Sequence, residues 1–271
     1  MINPIITLTS DYGSKDYFIS AIKAFIYKEI ESINIVDISH EITPFHLGEC
    51  AYTIRNAYHH FPKGTVHIIG IDAGKKNDRK NILTKVDGHY FIGSDSGIFS
   101  LIFQNKKAEY IFEINNSHQD ESTFLMKDIF AKTACMFLKG VRIDSLGTQI
   151  ENFVLKKHFL PTVTNNNKSI HAKIIYIDRF GNSVTNISKT FFQSIQKNRN
   201  FSISLPRAYK IEKICKYYSD VPEGTLLALF NSAGFLEISI NRLDTNEGGA
   251  NSLLGIRHRD NIIIDFFEID E

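Results

Sequence analysis

"IITLTSDYGSKDYFISAIKAFIYKEI", residues 5–30, holds two hydrophobic periods in succession. Its first five residues are apolar or β-branched without a break, the mark of a short, buried strand. Ser10-Asp11-Tyr12-Gly13 then supplies turn chemistry. Beyond it Phe18, Ile22, Phe25, Ile26 and Ile30 recur at helical spacing. A strand that passes through a tight turn into an amphipathic helix is the first half of a βαβ unit.

The pattern repeats downstream. "INIVDIS" (33–39) reads as a strand and "LGECAYTIRNAYHHF" (47–61) as a helix stopped by Pro62. "TVHIIGID" (65–72), "HYFIGSD" (89–95) and "AEYIFEI" (108–114) are further strands, and "KDIFAKTACMFLKG" (127–140) a helix ended by Gly140. Residues 1–158 are therefore expected to form an α/β domain with a mainly parallel sheet. "FLPTVTNNNKSI" (159–170) carries a proline and three consecutive asparagines, which reads as a linker over about 159–167. After it come short β-type runs at 171–178, 200–205, 225–231, 234–241 and 261–269, with one helix at 188–196. They predict a smaller, mostly-β, barrel-like domain over 168–271.

Composition narrows the function classes. Of the 271 residues 43% are hydrophobic, enough for two cores, and 31 basic against 30 acidic residues leave a net charge of +1. No basic run reaches five residues, so neither nucleic acid nor a membrane surface is an expected partner. No apolar stretch is long enough to span a bilayer, and "MINPIITLTSDYG" lacks the pattern of a secretory leader. Cys50, Cys135 and Cys215 stand far apart with no CxxC pair, which fits a reducing, cytoplasmic setting rather than a disulfide framework. No HExxH, EF-hand or His/Cys cluster calls for a metal.

Polar residues collect in two places. In the first half the apolar strands stop at carboxylates, namely Asp11, Asp72 and Asp95. Ligands of open α/β sheets bind outside the carboxyl ends of the strands, so these acids and Arg79 are candidates for one rim. A strand-end Asp equally caps the next turn, and the residues alone leave both readings open. "DISHEITPF" (37–45) places Asp37, Ser39 and His40 after a strand, without a Gly-x-Ser-x-Gly elbow. His40 thus reads as a structural histidine bonded to the backbone. Phe45, after Pro44, either stacks on a flat ligand or packs. In the second half "IDRFGNSVTNI" (177–187) gathers Asp178, Asn182, Thr185 and Asn186 around Phe180-Gly181. "FNSAGFLEISI" (230–240) adds Asn231, Ser232 and Glu237, and "NEGGANSLLG" (246–255) a glycine-rich bend that is neither a Walker loop nor a GxGxxG.

Six blocks carry a resemblance. "TSDYGSKDYF" with "AIK", "VDISHEITPF", "FPKGTVHIIGID", "DGHYFIGSDSG", "IDRFGNSVTNI" and "NSAGFLEISI" occur in order across nearly the whole chain. The sequence resembles the S-adenosyl-L-methionine (SAM) hydroxide adenosyltransferases, or adenosine-forming SAM hydrolases, relatives of the fluorinating and chlorinating SAM enzymes. That resemblance implies an α/β domain, a barrel-like domain and a homotrimer with SAM held at subunit interfaces. SAM is then the substrate and no cofactor is needed. By motif, Asp11 holds the ribose diol, which suits a carboxylate because it accepts two hydrogen bonds. Phe45 stacks near the nucleoside, Asp178 and Asn182 bind the methionine part with Ser232 beside them, and the segment around Ala250 offers backbone to adenine.

The family's water-handling set is Asp, Arg and His, and the resemblance assigns its first two members to Asp72 and Arg79. Its histidine position falls on Leu125 in "TFLMKDIF" (123–130), with His118 a nearby loop alternative. Asp95-Ser96-Gly97 stands for the usual Asp-Asn-Gly, and Ala73 for a proline. The expected activity is hydrolysis of SAM to adenosine and L-methionine by water attack at ribose C5′. The alternative is a slow or non-catalytic SAM or adenosine binder. Halogenation is disfavoured, because Asp72 would set a negative charge beside a halide.

Overall fold

The computed structural model describes residues 3–74, 79–115, 122–157, 159–164, 166–242 and 249–268. The chain divides into two units, Met1–Lys157 and His158–Glu271.

The first unit is built on β1 (Ile5–Ser10), β2 (Asn34–Ser39), β3 (Val66–Gly70), β4 (Asn81–Val86), β5 (His89–Ser94), β6 (Tyr110–Ile114) and β7 (Gly147–Ile150). Among the described residues these form one sheet in the order β2-β1-β3-β5-β4-β6-β7. β2, β1, β3 and β5 are mutually parallel. β4 is antiparallel to β5, β6 to β4 and β7 to β6, so only β4 and β7 run against the rest. The sheet is mainly parallel, as the alternation of periods requires. β4 is an addition to the sequence reading. Its hairpin to β5 turns on Asp87-Gly88, both in the left-handed region that a tight two-residue hairpin demands.

Helices cover both faces. On one, α1 (Phe18–Glu29) buries Ile19, Ile22 and Ile26 against Ile6, Leu8 and Ile68. Each such buried isoleucine contributes about 1.5–3 kcal/mol of transfer free energy. The same face holds a π-turn, Met126–Ala131, that runs into α4 (Lys132–Leu138), with the short α5 (Ile143–Leu146) following. Gly70 makes room for it: a Cβ there would stand 2.2 Å from the Met126 sulfur. On the other face α2 (Leu47–Ala57) turns Leu47, Cys50, Ala51 and Ile54 inward, the i, i+3, i+4, i+7 pattern of one stripe. His46 caps it by accepting the Glu49 N–H at 3.0 Å. α3 (Ile98–Phe103) packs into the same cluster with Ile69, Ile71 and Phe91.

The second unit holds β8 (Thr162–Thr164), β9 (Ser169–Ile177), β10 (Ser183–Ser188), α6 (Lys189–Gln196), β11 (Asn200–Ser204), β12 (Lys210–Ile211), β13 (Ile214–Cys215), β14 (Leu226–Phe230), β15 (Phe235–Ile240), α7 (Ala250–Leu254) and β16 (Asn261–Phe267). Its strands run β12-β11-β16-β9-β10-β15-β14-β13, with β8 on β9, in a nearly closed, barrel-like sheet. Ile170, Ile174, Ile187, Phe192, Leu236, Ile238 and Ile264 fill its interior.

Candidate functional site

β1, β3 and β5 lie side by side and parallel, with Ser10 opposite Gly70 and Ile69 opposite Gly93. The carboxylates that follow them, Asp11, Asp72 and Asp95, therefore leave the sheet at one edge. Two of the three join directly. Asp11 Oδ2 accepts the Phe45 N–H at 2.9 Å and the Asp72 N–H at 3.3 Å. Both donors have a positive φ, 64° at Phe45 and 46° at Asp72. That conformation costs a side-chain-bearing residue roughly 1–2 kcal/mol, so the carboxylate holds two strained peptide units in place.

Arg79 grips Asp72 twice. Its Nη2 stands 2.8 Å from Asp72 Oδ2 and its Nη1 donates to the Asp72 carbonyl at 2.5 Å. The side chains are only 13% and 19% exposed, so the pair is shielded from bulk screening. Residues 75–78 between them lie outside the described residues. Phe45 is 71% exposed on the loop that crosses Asp11, a ring presented to solvent rather than packed.

Asp95 behaves differently. Its backbone N–H donates to the Lys80 carbonyl and its Oδ2 accepts the Val154 N–H at 2.9 Å, so it tethers the segment after β7. Burial pushes its carboxyl up from the ordinary carboxylate range, with Val154, Lys80 and Arg79 opposing. Leu125 is 1% exposed, enclosed with Met126, Ile129 and Phe130 in the core beneath the sheet. His118 lies outside the described residues.

His40 departs from the sequence reading in its partner. Its ring meets a side chain, Ser10 Oγ, at 2.7 Å from Nδ1, while its carbonyl accepts the Gly13 N–H at 2.8 Å. No local signal announces this contact, since Ser10 ends β1 and His40 follows β2, thirty residues apart in the chain.

In the second unit Asp178 shapes the loop between β9 and β10. Its Oδ1 accepts the N–H groups of Phe180 and Asn182, each at 2.9 Å, and Asn182 Nδ2 donates to Oδ2 at 2.9 Å. Phe180 projects at the tip, 66% exposed. The loop lies against the Gly249–Asn251 backbone: the Asn251 N–H donates to Gly181 O at 2.9 Å, and a Cβ on Gly249 would stand 2.1 Å from Phe180 O. Asp178, Asn182 and Ala250 are thus neighbours. Ser232 is not among them. It sits on the exposed turn before β15, whose first residue, Phe235, pairs with Ser188 at the far end of β10. Between the two turns β10 bulges, and its partner β15 advances three residues, from Phe235 opposite Ser188 to Ile238 opposite Ser183, or about 10 Å. Asn231 in that turn donates to the buried Glu237, which also receives Tyr218 Oη and Ser239 Oγ.

Among the described residues no helix is long and apolar enough to cross a membrane, and no group of three His, Cys, Asp or Glu side chains is placed to hold a metal.

An α/β unit with acids along one sheet edge, followed by a small barrel with a carboxylate–amide loop, defines a two-unit architecture that known proteins share. Residues 6–147 match the SAM hydroxide adenosyltransferase N-terminal domain, and residues 172–263 match the C-terminal domain. The chain belongs to the SAM hydroxide adenosyltransferase family. It is 30% identical over 246 residues to the (R)-S-adenosyl-L-methionine hydrolase of Methanocaldococcus jannaschii, covering 87% of this chain and 88% of that one. It is 20% identical to the fluorinase of Actinopolyspora mzabensis, over 88% of this chain and 91% of that one. A solved structure of a conserved protein from Thermotoga maritima superposes with a TM-score of 0.84 at 28% identity, over 96% of this chain and 99% of that one.

Proposed function

We propose that the protein hydrolyses SAM to adenosine and L-methionine by attack of water at ribose C5′. The observation that carries this reading is the shielded Asp72–Arg79 pair joined through the Asp72 N–H to Asp11. Asp11 is then the ribose-diol acceptor, and Asp72, steered by Arg79, orients and deprotonates a water lying opposite the C–S bond. The leaving group departs as a neutral thioether, so no general acid is required; alignment and activation of the nucleophile carry the rate. Phe45 covers the nucleoside, and Asp178, Asn182 and the backbone at Ala250 receive the rest of the substrate. The hydrolases among the relatives support this chemistry over halogenation, and the charge on Asp72 disfavours a halide beside it.

A second reading, slow or non-catalytic binding of SAM or adenosine, draws on Leu125: an apolar side chain in the core offers a water neither a hydrogen bond nor a proton acceptor. One assay separates the two. Purified protein is incubated with SAM, and adenosine and methionine are followed by chromatography. Equimolar release of both supports hydrolysis; SAM that binds and is recovered intact supports the second reading.

A further inference from the structure

Asp11 stands between two residues that are both attached to His40. Ser10, just before it, is fully buried and bonds its hydroxyl to His40 Nδ1 at 2.7 Å. Gly13, two residues after it, donates its N–H to the His40 carbonyl at 2.8 Å. The loop that leaves His40 returns at Phe45, whose N–H reaches the Asp11 carboxylate at 2.9 Å. Three hydrogen bonds therefore close a ring in which the turn 10–13 and the loop 40–45 fix each other. We propose that His40 is the positioning residue of this site: it clamps the chain on both sides of Asp11 and so sets where that carboxylate and the Phe45 ring stand. Its consequence for the ligand rests on the reading of Asp11 as the ribose acceptor.

The surroundings of the ring support the assignment. Ser10 Oγ accepts the Tyr12 N–H at 3.4 Å and keeps a proton and a second lone pair, either of which can serve the 2.7 Å bond with Nδ1. Nε2 stands 3.2 Å from Asp37 Oδ1 but off the line of a good hydrogen bond, so the Ser10 contact is the ring's well-formed bond. Asp37 is itself held by Lys23 at 2.5 Å. Ser, His and Asp here do not make a nucleophilic triad, because the hydroxyl is sealed from solvent and every bond it makes is internal. Their use is geometric.

The test is amide hydrogen exchange of the ligand-free protein, paired with SAM kinetics, for His40→Ala, His40→Asn and His40→Gln. An Asn amide stands near the place of Nδ1 and retains the bond to Ser10; a Gln amide extends towards the place of Nε2 and does not. Exchange at Gly13 and Phe45 is expected to quicken by about tenfold in His40→Ala, with β3 and the second unit unmoved. His40→Asn should stay near wild type and His40→Gln should resemble the alanine variant. If His40→Ala does not fold, the Asn–Gln contrast decides alone. In turnover, KM for SAM should rise by about tenfold with kcat little changed. The clamp is wrong if Gly13 and Phe45 exchange as in wild type, if Asn fails to restore them, or if kcat falls at constant KM. Wild type that releases no adenosine removes the hydrolysis reading only, since the exchange result does not depend on a ligand.

Discussion

Asp11 Oδ2 carries two backbone N–H groups before any ligand arrives, so a substitution there tests fold and affinity separately. Asn keeps the shape and one acceptor oxygen, which preserves the two N–H contacts, but it removes the charge that strengthens a bond to a diol. Asp11→Asn is expected to leave the melting temperature nearly unchanged and to weaken SAM binding by roughly 1.5–3 kcal/mol, read by calorimetry. Unaltered affinity would show that the ribose is held elsewhere. Asp72→Asn removes a proton acceptor without removing volume, so SAM should bind while adenosine release stops. Arg79→Ala should give the same split, because it frees the carboxylate from the group that orients it. A loss of binding equal to the loss of turnover in both variants would place the pair in ground-state binding instead.

The strands were legible where one period dominates. β1 is an apolar or β-branched run, and β3 and β5 carry apolar centres between His, Gly and Ser; all three are largely buried, and their sequence limits agree with the structure within a residue or two. β10 was hidden because Ser183 and Thr185, polar in the sequence, are buried on the strand, so the stretch resembled a loop cluster. The π-turn at Met126–Ala131 gives no periodic signal of its own, and its contact with Gly70 joins distant segments. The candidate site was legible as a list of strand-end acids, but not as a network. Nothing near Asp11 announces Phe45 or His40, and nothing near Ser232 announces that its turn opens the opposite end of β10. Two predictions belong to this scale. Gly249→Ala would force a Cβ into Phe180 O, so it should cost about 2 kcal/mol in a denaturant melt and displace the loop at Asp178. Across β1, β3 and β5, Thr7 Oγ1 bonds His67 Nδ1 at 2.7 Å and His67 Nε2 meets His89 at 3.3 Å. Burial, with His89 beside it, pushes the His67 imidazole down to about 3. The folded protein therefore takes up no proton there at pH values where an unfolded histidine, near 6.5, does. Stability should fall as pH drops from about 6.5 towards 3, by at most about 1.4 kcal/mol per unit for this group. Urea melts at stepped pH should show that slope, and His67→Phe should flatten it even if its baseline stability is lower.

At the scale of the whole molecule the proposed contacts are divided. Asp11, Phe45, Asp72 and Arg79 belong to the first unit, and Asp178, Asn182 and Ala250 to the second. In the proposed reading the first set serves the nucleoside end of SAM and the second its amino-acid end, so each alone would satisfy only part of the substrate's polar groups. An unpaired buried amine or carboxylate would cost several kcal/mol. If the two sets meet across subunits, as the resemblance implies, SAM affinity must depend on assembly. The expected species is then a trimer, with a light-scattering mass three times the 30.9 kDa of the chain. Affinity should collapse in step with dissociation when the protein is diluted, because a site made by two chains loses half its contacts when they part. The two measurements interlock: scattering gives the mass at each concentration and calorimetry the affinity at the same point. A monomer that binds SAM as tightly as the concentrated protein would mean that one chain builds the complete site, and the interface reading would fall while the roles of Asp11 and Asp72 stood.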